Sequence, residues 1–168
     1  MRPIHITLVI LAVLAVILWT LAFVSMCHAD TIAFERLTEA VIVCESGGRA
    51  DAVNGECVGL MQISPIVFEE WDIEKSNFEN SCAFNPPCKL CKKPLIDLYN
   101  PQDNKRVGIW YLRRLHSHYN CPSVEAIAAV YNMGPTAFKK IGYDVSKSPP
   151  RVRAYVEKVV GEYNRRAR

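Results

Sequence analysis

Two acids stand in the stretch VCESGGRADAVNGECVGLMQIS, residues 43–64, each beside a cysteine: Glu45 after Cys44, and Glu56 before Cys57. Paired carboxylates are what a hydrolytic glycosidase uses, one as acid and the other as base or nucleophile. Asp51 lies between them as a third candidate. Their settings differ. Glu45 follows Val41 by four residues and Leu37 by eight, so it ends the apolar stripe of the helix that precedes it. A carboxyl there is desolvated and faces the negative end of a helix dipole. Both effects raise its pKa, as a general acid working near neutrality requires. Arg49 opposes this if it folds back, and the bland alternative is a solvated glutamate at a helix end. Glu56 and Asp51 fall in a polar loop and read as solvent-exposed.

The sulfurs invite a second chemistry. Seven cysteines are an odd count, but without Cys27 six remain: Cys44, Cys57, Cys82, Cys88, Cys91 and Cys121. In an exported domain six cysteines read as disulfides, with many connectivities open. Cys44–Cys57 would close a short loop, worth about 3 kcal/mol if unstrained. Cys88-Lys89-Leu90-Cys91 with Cys82 and Cys121 is the alternative, a four-sulfur zinc site, but one CxxC is weak evidence for it. His116 and His118 lie two apart on a helix and share no face, so they read as surface residues. No metal and no cofactor are expected.

These groups must be positioned by helices. Residues 31–45 place Phe34, Leu37, Val41 and Ile42 on one face, and Ser46-Gly47-Gly48 stops the helix. Residues 51–64, with Asn54-Gly55, suit a loop or small hairpin. Residues 76–99 read as irregular, with Pro86-Pro87 and three cysteines. Asn100-Pro101 then caps a helix, with Asp103 favouring its N-terminal dipole. Another helix spans about 123–132, stopped by Gly134-Pro135. The last carries Val152, Tyr155, Val156, Val159, Val160 and Tyr163 on one stripe. The sum is a mostly α domain with one small β element.

At 168 residues the chain suits a single domain with a real core. A net charge of +3 is too small a bias to argue for nucleic acid. The C-terminal run of Arg151, Arg153, Lys158, Arg165, Arg166 and Arg168 reads as a solvated face or one suited to an anionic surface. Residues 6–24 carry no charge and, as a helix, measure about 28 Å, close to bilayer thickness. Residues 1–29 are therefore a signal peptide or a membrane anchor, engaging the membrane or export machinery, and both readings stay open. Either way residues 30–168 are expected to be exported.

ESGG at 45–48, GLMQIS at 59–64 and AIAAVYNMGP at 126–135 occur in that order. Together they resemble the lytic transglycosylase domain of the soluble-lytic-transglycosylase type, a lysozyme-like family. DLYNPQDNKRVGIWYLRRL and PPRVRAYVEKVV extend the resemblance, which covers roughly residues 32–163. It implies an α+β lysozyme-like fold and cleavage of the β-1,4 bond between N-acetylmuramic acid and N-acetylglucosamine in peptidoglycan. Glu45 matches the family's single catalytic acid. It would protonate the glycosidic oxygen and then take a proton from the muramoyl C6 hydroxyl, leaving a 1,6-anhydromuramoyl end. Gly59, Leu60, Met61 and Gln62 match the substrate-binding GLMQ, where glycine lets backbone approach a sugar and the Gln62 amide both donates and accepts.

Tyr131 and Asn132 match the family's Tyr-Asn pair. Asn54 stands where the family usually has a serine and offers a hydrogen bond to an acetamido group. Met133 replaces a frequent alanine, and the cysteine-bearing part of 76–99 looks like an insertion. The implied setting is the periplasm or the outer face of the cytoplasmic membrane. The implied partner is a peptidoglycan glycan strand, met by a monomer. Two other readings are kept: a hydrolytic muramidase using Glu45 with Glu56 or Asp51, and an inactive wall-binding or scaffold protein.

Overall fold

The computed structural model describes residues 34–80 and 96–167, with 76–80 described as backbone only. Two compact units divide the chain, Met1–Glu35 and Arg36–Arg168. The expected signal or anchor over 1–29 lies outside the described residues, as do Cys82, Cys88 and Cys91. The second unit is mostly helical with one two-stranded sheet, the lysozyme-like architecture that the motifs imply.

Helix α1 is helical over 34–46. Leu37, Val41 and Ile42 of its expected stripe are buried, together with Thr38 and Ala40. Gly47 and Gly48 end it at φ of 63° and 84°, a left-handed pair that glycine adopts without steric penalty. Strands β1 (Val53–Asn54) and β2 (Cys57–Val58) then form an antiparallel hairpin in which Asn54 faces Cys57. Gly55 turns it at φ 61°.

Helix α2 (Pro65–Asn80) is an element without a sequence forecast, and it corrects the irregular reading of 76–80. The Ser64 carbonyl accepts from the Phe68 N–H, and Pro65 suits a first helical turn. Trp71 is the one large side chain it buries among those described, so its periodic signal is faint.

Helix α3 (Pro101–Ser117) starts as expected. The Asn100 side chain accepts from the N–H groups of Gln102 and Asp103, behind Pro101. Helix α4 (Val124–Met133), capped by Ser123, buries every residue from Ala126 to Val130. That all-round burial makes it the central helix, with α3, α5 (Pro135–Lys140) and α6 (Pro150–Arg165) packed around it. Gly134-Pro135 does stop α4, but Pro135 also opens α5. Val152, Val156 and Val159 of α6 are buried, each side chain contributing about 1.5–3 kcal/mol to the core.

Candidate active site

A cleft of about 690 Å³ runs between the end of α1, the β-hairpin, the start of α2 and the α4–α5 corner. Glu45, Asn54, Gln62, Tyr131 and Asn132 all line it. Gly59, Leu60 and Met61 do not; they are buried beneath it. Glu56 and Asp51 are exposed and also lie off the cleft.

Burial raises the Glu45 carboxyl above the usual carboxylate range, as its place on the apolar stripe predicts. A hydrogen bond opposes part of that shift: the Tyr155 hydroxyl of α6 donates to Glu45 Oε1 at 2.6 Å. One oxygen is thereby engaged, and Oε2 is left to carry or release a proton. Arg49 does not compensate the acid. Its Nε folds back onto the Ser46 carbonyl at 3.2 Å, and no ion pair reaches Glu45 among the described residues. Burial, with the Glu45 charge as the next cause, keeps the Tyr155 and Tyr131 hydroxyls far above the tyrosine range, so both remain donors.

The residues after the hairpin are held by buried polar groups. The Ser46 hydroxyl, one residue past the acid, donates to the Leu60 carbonyl at 2.8 Å. Asn104 of α3 accepts from the Met61 N–H at 2.8 Å and donates to the Val58 and Leu98 carbonyls at 2.9 Å each. The Tyr131 hydroxyl donates to the Met61 carbonyl at 2.7 Å. Gly59 is required here for a structural reason. At φ 79° it lies so close to Asn104 that a Cβ would sit 2.1 Å from the amide nitrogen. Its close approach is to Asn104 and the Leu98 carbonyl, beneath the cleft.

Gln62 closes this segment with φ 48°, unusual for a residue other than glycine. Its amide nitrogen donates to the Ala52 and Gly59 carbonyls, both at 2.9 Å, which fixes the amide's orientation. Its carbonyl oxygen is buried without a donor, although the residue lines the cleft. Asn132 Oδ1 is in the same state. Both oxygens are thus sealed acceptors without a donor among the described residues, in residues that line the cleft.

The motif order and this geometry bear on one comparison. The family model for the transglycosylase SLT domain matches residues 33–151. The chain belongs to this family. No curated protein matches the chain. Membership makes this a transglycosylase-type domain that acts on peptidoglycan.

Within this SLT domain the expected Cys44–Cys57 disulfide is absent, and both thiols are free, as is that of Cys121. Cys44 meets the charges of Glu162 and Lys158 on α6, whereas Cys57 lines the cleft. Burial raises both thiols. His116 and His118 are exposed, and His116 Nδ1 lies 3.0 Å from the Cys121 carbonyl. No helix among the described residues is long and apolar enough to cross a membrane.

Sequence reasoning passed over four residues of this site: Tyr155, Ser46, Asn104 and Glu70. Tyr155 had a visible signal, a tyrosine on the apolar stripe of α6, but nothing local says that its hydroxyl reaches α1. Asn104 is a polar residue one turn into a helix, and only burial on both sides reveals its role. Glu70 of α2 is a second carboxylate on the cleft, ion-paired with Arg114 at 3.3 Å.

Proposed function

We propose that the domain is a peptidoglycan lytic transglycosylase in which Glu45 serves alone as acid and base. One observation carries this reading: a desolvated carboxyl lies on the cleft wall, held through one oxygen by Tyr155. Protonated Glu45 gives its proton to the glycosidic oxygen as the bond to the muramoyl C1 breaks. The acetamido oxygen of the same sugar bonds to C1 and holds the developing charge. Glu45, now a carboxylate, takes the proton of the C6 hydroxyl, and O6 displaces the acetamido oxygen at C1. The acid is regenerated, no water is consumed, and a 1,6-anhydromuramoyl end remains.

Gln62 and Asn132 bind the sugars from the cleft wall that they line, and exposed Asn54 meets an acetamido group at the rim. Gly59, Leu60 and Met61 serve binding from beneath, and Tyr131 of the cleft wall bonds the Met61 carbonyl; together they hold Gln62 in its left-handed conformation. Residues 1–29 deliver the domain to the periplasm or the outer face of the membrane as a cleaved signal or an anchor. It acts there as a monomer on glycan strands, without nucleic acid, metal or cofactor.

Digestion of purified peptidoglycan with mass analysis of the products tests this. Anhydro ends are expected, and free reducing muramic acid would instead mean a hydrolytic muramidase. Glu45→Gln is expected to lower the rate of release by about 10²- to 10⁴-fold. Unchanged lysis by that variant would sink the mechanism. If the wild-type chain binds peptidoglycan and releases nothing, it is the wall-binding scaffold.

A further inference from the structure

Four side chains of charged type line the cleft: Glu45, Glu70, Lys140 and Arg151. Glu45 is held toward its neutral form by burial, and Glu70 shares Arg114 with Glu74, at 3.3 Å against 2.9 Å. Lys140 and Arg151 are exposed, and neither meets a carboxylate among the described residues. The cations of the cleft wall that no carboxylate engages among the described residues are thus Lys140 and Arg151.

Placement along the helices strengthens the point. Arg151 lies in the first turn of α6, a turn without an acid, where a cation opposes the helix dipole. Arg153 shares that turn, and the loop explains it: its Nη1 donates to the Ser148 carbonyl. Arg151 makes no such bond and lines the cleft instead. Lys140 falls in the last turn of α5, where a cation suits the dipole, so α5 alone would account for its type. Positive character continues beyond the cleft. An adjoining groove of about 680 Å³ shares Glu70, Pro135 and Thr136 with it and adds Lys139.

A neutral amino-sugar polymer offers these cations no partner. A muramoyl residue does, because its lactyl arm ends in a carboxylate when bare and otherwise carries a peptide that ends in carboxylates. We propose that Lys140 and Arg151 read a carboxylate on the muramoyl side arm and so set the glycan preference of the cleft. This rests on the peptidoglycan-cleaving reading above. It adds to that reading a specificity that neither Glu45 nor Gln62 supplies.

The test uses the full chain and three glycans: one bearing peptide stems, one stripped to the lactyl carboxylate, and a stripped one whose carboxylates are converted to methylamides. KM and kcat for anhydro-end release are measured on each, over a salt series. The wild type is expected to show a lower KM on a carboxylate-bearing glycan than on the amidated one, a preference that fades with salt. Lys140→Gln and Arg151→Gln should each shrink that KM ratio by roughly three- to tenfold, with kcat little changed. Shrinkage with the stem-bearing glycan alone assigns the peptide carboxylates, and with the stripped glycan the lactyl group.

An equal KM on all three glycans for the wild type overturns the proposal. So does a variant that raises KM equally on all three, or one that leaves every ratio unchanged. Failure of the wild type to make anhydro ends from any glycan would instead overturn the function proposed above.

Discussion

At the scale of single residues, two opposing effects act on the Glu45 proton: burial raises its pKa, and the Tyr155 hydrogen bond lowers it. In the proposed mechanism Glu45 must be protonated to act as the acid, so kcat/KM is expected to fall as pH rises through its pKa. Tyr155→Phe removes the lowering contact and frees the carboxyl to turn. The falling limb of the pH profile should move to higher pH, and kcat should drop about tenfold through lost orientation. Phenylalanine keeps the ring in place, so a profile that stays put would mean that the hydroxyl does not act on Glu45. Stability follows the same proton. The folded chain binds it more tightly than the unfolded chain does. Glu45's contribution is thus fully present below the ordinary carboxyl range and is lost as pH rises through the raised folded value. Glu45→Gln is therefore expected to raise Tm at about pH 8, and to do so much less at about pH 4. Thermal melts across that range check the sign.

At the scale of elements, the site depends on how α1, α3 and α4 hold the segment after the hairpin. Ser46, Asn104 and Tyr131 each bond to its backbone at Leu60 or Met61. Asn104→Ala would leave the Met61 N–H and the Val58 and Leu98 carbonyls without their partner. At about 1–3 kcal/mol for each unsatisfied buried group, the expected cost is at least about 3 kcal/mol, read by urea denaturation. Much of this scale was legible in advance. Asn100-Pro101 marked the start of α3, Gly134-Pro135 the stop of α4, and Gly47-Gly48 the end of α1, because caps and turns are local chemistry. Helix α2 was not legible. Its described part buries Trp71 and little else that is large, so no stripe announces it. Nor was the state of the sulfurs, because closeness in sequence does not show whether two thiols meet in the fold.

At the scale of the whole molecule, α4 is the hub of the described part of the second unit, and α6 packs on it, burying Val152, Val156 and Val159. That packing also brings Tyr155 to Glu45, across 110 residues of chain. Stability and activity should therefore be coupled through α6. Val159→Ala, at a site with no exposure, is expected to cost about 2 kcal/mol by cavity formation. It should also lower kcat, because Tyr155 rides on the same helix. A stability loss with unchanged kcat would show that Tyr155 is held independently of that interface. The sequence by itself determined the helical class, the stops of α1 and α4, the start of α3 and the order of the family motifs, since each rests on local spacing or composition. The preference for Glu45 over Glu56 came from the resemblance those motifs carry. Tertiary structure alone decided that Tyr155 holds the acid, that Gly59 is shaped to Asn104, that Glu70 reaches the cleft, and that Cys57 lines it while Cys44 meets α6. Those are contacts between residues distant along the chain or on different helical faces, and packing, not periodicity, brings such groups together.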